Sequence, residues 1–441
     1  MKTDRWAWST FTSFFRPDYP EMSLSLQLYR GAAAIGFALA SPWLQRKYAG
    51  VGLEERRGIY APSLLSQLRK RGRPLWVHSV SVGEVQSAAP FLRRARVALG
   101  KRPVILSTIT PTGREMAGRL LQGVPDRVIS YPWDSPVVLN RALNSLRPKV
   151  YVTVETEIWP GMLWEMSRRS VPAFMVNGRF SDKTYLSMRR FRSFWREVLS
   201  CYTGMMVRSR SDMEKLIDLG VEEEKIEITG DCKADALMER KAELDKDEIL
   251  ATLGDGGPIV LAGSTHTGED EIVIKAFRKV LNRYPEARLV IVPRHPERSR
   301  RIARLASDLG PVSLYSRIEP GWRTLVVDVI GVLFGLYSVA DCAFVGGSIA
   351  PRGGQNIMEA ALFGVPFCQG PHYEDFVEAT DSMVKMGICT MISDEDTMAT
   401  AFLRDLDGRR RKKVEADCRD YFQGLESAAD RSWEIVAPYL N

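Results

Sequence analysis

The chain reads as an α/β protein made of two parallel-sheet domains in tandem. From about residue 75, short β-rich runs alternate with amphipathic helical stretches. A polar, glycine-rich segment at Glu239–Gly257 then breaks the alternation, and the same pattern restarts after it. Alternation of this kind sets strands side by side in parallel and lays helices over both faces. The length agrees, because 441 residues are too many for one ordinary core and suit two. Hydrophobic residues at 45% and charged residues at 26% belong to a folded globular protein and exclude collagen-like and disordered classes. A net charge of +7 favours an acidic partner: nucleic acid, an anionic membrane surface or a phosphorylated substrate. The six cysteines are scattered without a C-x-x-C pair, as expected for buried small hydrophobes in a reducing compartment.

The first 47 residues form a segment of their own. Trp6, Trp8, Phe11, Phe14, Phe15 and Tyr19 precede an uncharged run from Gly31 to Leu44, flanked by Arg30, Arg46 and Lys47. That run of about 14 residues is shorter than the roughly 20 that span a bilayer. A cleaved signal peptide, a buried helix and an interfacial anchor all compete for it. The flanking cations, suited to anionic headgroups, favour the anchor.

Expected strands of the first half are Leu75–Val80, Val104–Thr108, Arg127–Tyr131, Val150–Val154, Ala173–Val176, Gly204–Arg208 and Lys225–Thr229. The run Trp76-Val-His-Ser-Val-Ser-Val-Gly-Glu84 passes from strand to helix, with Gly83 permitting a sharp turn. Glu84 then stands at a helix start beyond a strand's carboxyl end, where ligands collect in open α/β sheets. The positive helix terminus favours its ionised form, so it is available as a proton acceptor. Glu155 and Glu157 close another strand at alternate positions on one face, an arrangement that suits holding a cation, sharing a proton or orienting hydroxyls. A helix opening at Ser211 with Glu214 as its capping box stops at Gly220. Arg189, Arg190, Arg192 and Arg196 form a basic cluster able to grip phosphates, or a solvated helix face. Lys233 lies at the crossover between halves, where a cation can neutralise developing negative charge.

The second half offers strands at Ile259–Gly263, Arg288–Val292, Leu325–Val329, Cys342–Val345 and Val365–Cys368, with a helix from Glu269 to Arg283. Gly346-Gly-Ser348 and Arg352-Gly-Gly-Gln-Asn356 follow one strand, and such glycines let backbone N–H groups approach an anion. Asn356 is placed to cap the next helix, and Glu359 one turn in can accept hydrogen bonds from ribose hydroxyls. Arg294 and His295 follow another strand and offer donors to a phosphate. Only four histidines occur, each at an expected strand-end loop and none at close metal spacing; Asp245-Lys-Asp247 lies in the polar break, so no metal is expected.

Taken in order, His78-Ser-Val-Ser-Val-Gly-Glu84, Glu155-Thr-Glu-Ile-Trp-Pro160, Asn177-Gly-Arg-Phe-Ser181 and Gly230-Asp-Cys-Lys-Ala-Asp235 continue into Ser264-Thr-His266, Pro293-Arg-His-Pro-Glu-Arg298, Gly346-Gly-Ser348, Gly353-Gly-Gln-Asn356 and Gly370-Pro-His372. Together they resemble the bacterial 3-deoxy-D-manno-octulosonic acid (Kdo) transferases of lipopolysaccharide synthesis, from about residue 30 to the C-terminus. The resemblance implies a GT-B architecture: two Rossmann-like domains facing a cleft, with transfer of Kdo from CMP-Kdo to a lipid A precursor at the cytoplasmic side of the inner membrane. With the membrane-associating segment over 1–47, whose part before residue 23 is unlike typical members, and the linker over 239–257 read from the residues, the resemblance implies an acceptor domain over 48–238, a CMP-sugar domain over 258–420 and a C-terminal helix over 421–441 returning to the first domain. It makes Glu84 the base of an inverting displacement and Glu155 and Lys233 the stabilisers of its transition state. Ser81, Gly83 and Arg179 would meet the acceptor. Pro293, Arg294, His295, Ile330, Gly331, Val332, Asn356, Ile357, Met358 and Glu359 would hold CMP. No cofactor, metal or nucleic-acid partner is implied. Val332, Gln355 and Asp375 differ from the residues usual in the family, and Gly178 and Phe180 replace its Ala and Leu. A nucleotide-sugar epimerase of similar architecture and a non-catalytic nucleotide-sugar or lipid binder are the competing functions; a membrane anchor argues against the first, and Glu84, Glu155 and Lys233 argue against the second.

Overall fold

In the first sheet β1 (Leu75–His78) is buried along its whole length, because it is flanked in parallel by β2 (Val104–Thr108) and β4 (Val150–Val154). A strand covered on both faces must be apolar at consecutive positions, as Leu75-Trp-Val77 is. We describe residues 22–425 and 427–441 of a computed structural model; the aromatic residues before Met22 lie outside the described residues. With β3 (Arg127–Ser130), β5 (Ala173–Gly178), β6 (Gly204–Val207) and β7 (Ile226–Ile228), the order is β3-β2-β1-β4-β5-β6-β7, all parallel. Alternate residues of each strand feed two cores. Trp76, Ile105, Tyr151 and Met175 pack on one face, and Val77, Leu106, Val152 and Phe174 on the other.

The second sheet repeats the plan with β8 (Ile259–Thr265), β9 (Arg288–Pro293), β10 (Val312–Leu314), β11 (Thr324–Val326), β12 (Cys342–Val345), β13 (Phe367–Gln369) and β14 (Cys389–Met391). Its order is β10-β11-β9-β8-β12-β13-β14, again parallel throughout. Leu261, Val290, Ala343 and Phe367 fill one core, and Val260, Leu289, Phe344 and Cys368 the other.

The chain divides into two units, one of residues up to Ala236 together with 426–441, the other Leu237–Leu425. The Ala428–Val436 helix thus belongs to the first unit. There Trp433 meets Phe91 edge-on at 5.9 Å, and the Ala429 N–H donates to Asp235 at 2.8 Å. The segment 239–257 is not an open linker. It holds the end of the Cys232–Ala242 helix and the whole Lys246–Leu253 helix, with Asp245 as an N-cap accepting from the N–H groups of Asp247 and Glu248. Its sparse apolar residues suffice to dock it: Leu253 is buried, and Trp322 donates to the Leu253 carbonyl at 3.0 Å. The helix expected at Ser211 starts two residues earlier and without a capping box. Ser209, in extended backbone, caps the Arg210–Asp218 helix by accepting from Asp212 N–H, and its hydroxyl donates to the Asp212 carboxylate.

The Leu24–Lys47 helix lies against the first unit by one face. Its N-cap Ser23 binds Glu197, Tyr29 donates to Asp134 at 2.7 Å, and Arg30 meets Glu165 at 2.7 Å. Burial opposes the charge on Glu165, but hydrogen bonds from Arg30, Arg168 and Arg169 prevail and hold its carboxyl below the usual range. Among the described residues no helix is long and apolar enough to cross a membrane.

Candidate active site

Three segments of the first unit bring carboxylates and a lysine to the carboxyl ends of β1 and β4. Ser81 is the N-cap of the Val82–Leu99 helix, so Glu84 falls in its first turn. Glu84 accepts from the Val80 N–H at 2.6 Å with one oxygen and from the Ser81 hydroxyl at 2.9 Å with the other. A carboxylate has about four lone-pair sites, so these bonds orient the group and leave acceptor capacity. Burial raises the Glu84 carboxyl above its ordinary value, the Val80 and Ser81 bonds counter this, and the Glu155 charge adds to it. Gly83 is an ordinary helical residue, not the sharp turn expected. A Cβ there would meet nothing within 4 Å, so the start of this helix faces open space at Gly83.

Glu155 follows β4 with φ +57°, a left-handed conformation that a non-glycine residue adopts only when its surroundings enforce it. The reward is position. Its Oε1 lies 2.9 Å from Lys233 Nζ and accepts from Ser87 Oγ at 3.0 Å. Lys233 is itself placed by two anchors: buried Asn177 accepts from Cys232 N–H at 2.9 Å, and Asp231, held by Arg208, accepts from Lys233 N–H at 2.9 Å. Ser87 and Arg208 carry no motif of their own, and Asn177 and Asp231, though they stand in the motifs above, had no role assigned there. Only proximity reveals them.

Glu157 joins the cluster. Burial pushes its carboxyl up to about 7, with the Glu84 charge assisting and Trp159 opposing. Arg179 is exposed, and the described contact there is its carbonyl accepting from Thr156. His78 is not in a loop. It ends β1 fully buried, stacks on Tyr131 at 3.7 Å, and is pushed by burial down to about 3, which makes it a neutral core residue.

In the second unit a cavity of about 230 Å³ is lined by Ser264, Gly331, Asn356 and Glu359 together with Arg240 and Tyr337. Gly331 turns with φ +97°, and Ser264 at the end of β8 is again a left-handed non-glycine residue, φ +53°. Asn356 accepts from Met358 N–H at 3.1 Å and so opens the Met358–Leu362 helix. Glu359, raised by burial and countered by Arg240, faces that arginine at 3.9 Å, which also lies over the Phe334 ring. Arg240, Phe334 and Tyr337 were not legible as site residues. Val332 begins the Leu333–Tyr337 helix, Ile330 stands 87% exposed, and the Ile357 side chain is buried in the core, which leaves only its backbone for a ligand. Pro293, Arg294 and His295 do not line the cavity. Pro293 ends β9 and Arg294 and His295 follow it, with the His295 ring centred 6.1 Å from that of His266.

The glycine loop after β12 departs from expectation. Its N–H groups do not wait for an anion, because the buried Glu269 carboxylate already occupies them. It accepts from His266, Gly347, Ser348, Ile349 and Ala350 at 2.8–3.1 Å. Among the described residues no group of three or more His, Cys, Asp or Glu is placed to hold a metal ion.

Two all-parallel Rossmann-like sheets in tandem define a GT-B architecture. A solved UDP-GlcNAc 2-epimerase from Neisseria meningitidis shares the fold, with TM-score 0.58 and 15% identity over 84% of this chain and 99% of that one. At that identity the likeness is one of fold. The particular family follows from sequence. A family model described as 3-deoxy-D-manno-octulosonic-acid transferase (kdotransferase) matches residues 52–236. The 3-deoxy-D-manno-octulosonic acid transferase of Haemophilus influenzae is 30% identical over 88% of this chain and 91% of its own length. The Bordetella pertussis transferase is 30% identical over 87% and 90%. The chain belongs to the Kdo transferase family and is a glycosyltransferase.

Proposed function

We propose that the enzyme moves Kdo from CMP-Kdo to a tetra-acylated lipid A precursor, inverting the anomeric centre, at the cytoplasmic side of the inner membrane. The observation that carries this is the state of Glu84: oriented by two hydrogen bonds, half-buried, raised in pKa, and open on the side of Gly83. A base held ready near neutral pH removes the proton from the acceptor hydroxyl. The oxygen then forms its bond to the anomeric carbon of Kdo as the bond from that carbon to the CMP phosphate oxygen breaks, and CMP leaves with the electron pair. Lys233, steadied by Glu155, offers positive charge to the anionic groups of the reaction. Gly331, Asn356 and Glu359 line the place we assign to the nucleotide, with Glu359 accepting from hydroxyls. Neither a metal nor a cofactor is part of this proposal.

The Leu24–Lys47 helix supports the membrane location. Its outward face is apolar, with Leu24, Leu28, Ile35, Leu39 and Trp43 between 58% and 79% exposed. A helix apolar on both faces, one docked and one bare, suits a bilayer surface better than water. Arg46 and Lys47 end it beside the headgroups. The test is mass spectrometry of the tetra-acylated precursor after incubation with CMP-Kdo and purified protein. Mass increments of Kdo are expected and also count the additions. A folded protein that yields none refutes the donor and acceptor assignment.

A further inference from the structure

The first unit contains a groove of about 780 Å³ that the chemistry above does not use. Leu28 and Ala32 of the Leu24–Lys47 helix form one wall, Phe194 and Trp195 of the Arg192–Ser200 helix another, and Ile158 and Trp159 its base. We propose that this groove takes one acyl chain of the acceptor, a proposal that rests on the acceptor reading given above.

Three features select that occupant. The first is the inner end. Thr156 and Glu157 line it, and they follow directly on Glu155, the partner of Lys233. Glu157 at this end lies close enough to Glu84 to feel its charge, so an acceptor whose hydroxyl lies at Glu84 can reach the groove with a covalently attached acyl chain. The second is the outer end. Leu28 lines the groove and is also 65% exposed on the outward apolar face of its helix, so the groove is continuous with the surface assigned to the bilayer. Phe191, lining the groove at 67% exposure, sits between Arg190 and Arg192, cations suited to phosphates on an amphiphile. The third is rigidity. Ser23 at the start of one wall binds Glu197 in the other, by its N–H at 2.9 Å and by its hydroxyl. Tyr29–Asp134 and Arg30–Glu165 fix the same helix to the body of the unit. A slot built in advance spends little binding energy on ordering itself.

The test uses the full chain and acceptors that differ only in the length of one acyl chain, at constant detergent. Each methylene removed is expected to lower kcat/KM about fourfold, through KM, while it still lies in the groove. Ala32→Trp fills the slot and should flatten that length dependence. Trp195→Ala widens it and should move the optimum to longer chains. Variants that fold, judged by circular dichroism, yet keep the wild-type length dependence would overturn the proposal, because chain length would then be sensed by the micelle or bilayer alone. Calorimetric titration of alkyl glucosides from octyl to tetradecyl, below their micelle concentrations, reads the groove without turnover. Affinity that rises with length in wild type and loses that rise in Ala32→Trp supports it, and equal length dependence in both refutes it. Failure of transfer with every acceptor would instead count against the acceptor assignment.

Discussion

Glu84 and Glu269 hold equivalent places in the two units. Each follows the first strand of its sheet, β1 or β8, and each lies in the first turn of the next helix. Their surroundings make them opposites. Two donors close on Glu84, and its charge remains partly exposed and raised in pKa. Five backbone N–H groups close on Glu269, which is buried and has become part of the loop it holds. The number of donors, not the position in the fold, separates a carboxylate available for chemistry from one consumed by structure.

The contrast can be broken most sharply at Glu84. Glu84→Gln keeps the shape and the hydrogen bond from Val80 while removing the base. Turnover should fall about 10²–10⁴-fold with the thermal midpoint nearly unchanged. A variant that retained its rate would leave Glu84 as a helix cap only. The next effect in size is on Glu269. Glu269→Ala strips five amides of their acceptor, and each buried amide left unpaired costs about 1–3 kcal/mol. Allowing for entry of water, the second unit should lose on the order of 3–5 kcal/mol in urea unfolding, with the first unit's transition in place. An unchanged second transition would show that the loop does not need its internal anion.

The same contrast explains what the sequence could disclose. Both sheets were legible because central strands such as Trp76-Val77 and Val290-Ile291 must be apolar at consecutive positions. β10 and β14, three-residue strands at the sheet edges, were not foreseen, whereas β7, an edge strand of the same length, was visible in the alternation Ile226-Glu-Ile228. Glu84 and Glu155 stood out as charges beside strand ends and Lys233 as a cation at the crossover between halves, and the structure brings all three to one place. The glycine loop after β12 also stood out, but its partner did not. Glu269 lies 78 residues before Gly347, and one acid in the run Glu269-Asp-Glu271 looks like ordinary first-turn decoration. Arg240 is hidden likewise: in sequence it belongs to a polar segment, and only folding sets it over Phe334 near Glu359. Local pattern marks strands and their ends, whereas long-range polar closure leaves no trace along the chain.

Glu157 sharpens the comparison with the smallest effect, and the direction can be worked out. Its carboxyl is pushed to about 7 in the folded protein, by burial first and by the charge of Glu84 second. In the unfolded chain it titrates near the ordinary value of about 4.3. Between those values the folded state keeps a proton that the unfolded state has released, so stability falls as pH rises from about 4.5 to about 7 and is flat above. Glutamine carries no such proton. Glu157→Gln should match wild type near pH 4 and exceed it near pH 8 by about 1–3 kcal/mol, read from urea midpoints at the two pH values. Because Glu157 still holds its proton while Glu84 ionises, the acid limb of the kcat/KM profile should stay in place in Glu157→Gln. Equal pH slopes in the two proteins would mean that the carboxylates of the first unit are not crowded. Steeper loss in wild type would show that crowding Glu157 against Glu84 costs this unit stability as the pH rises.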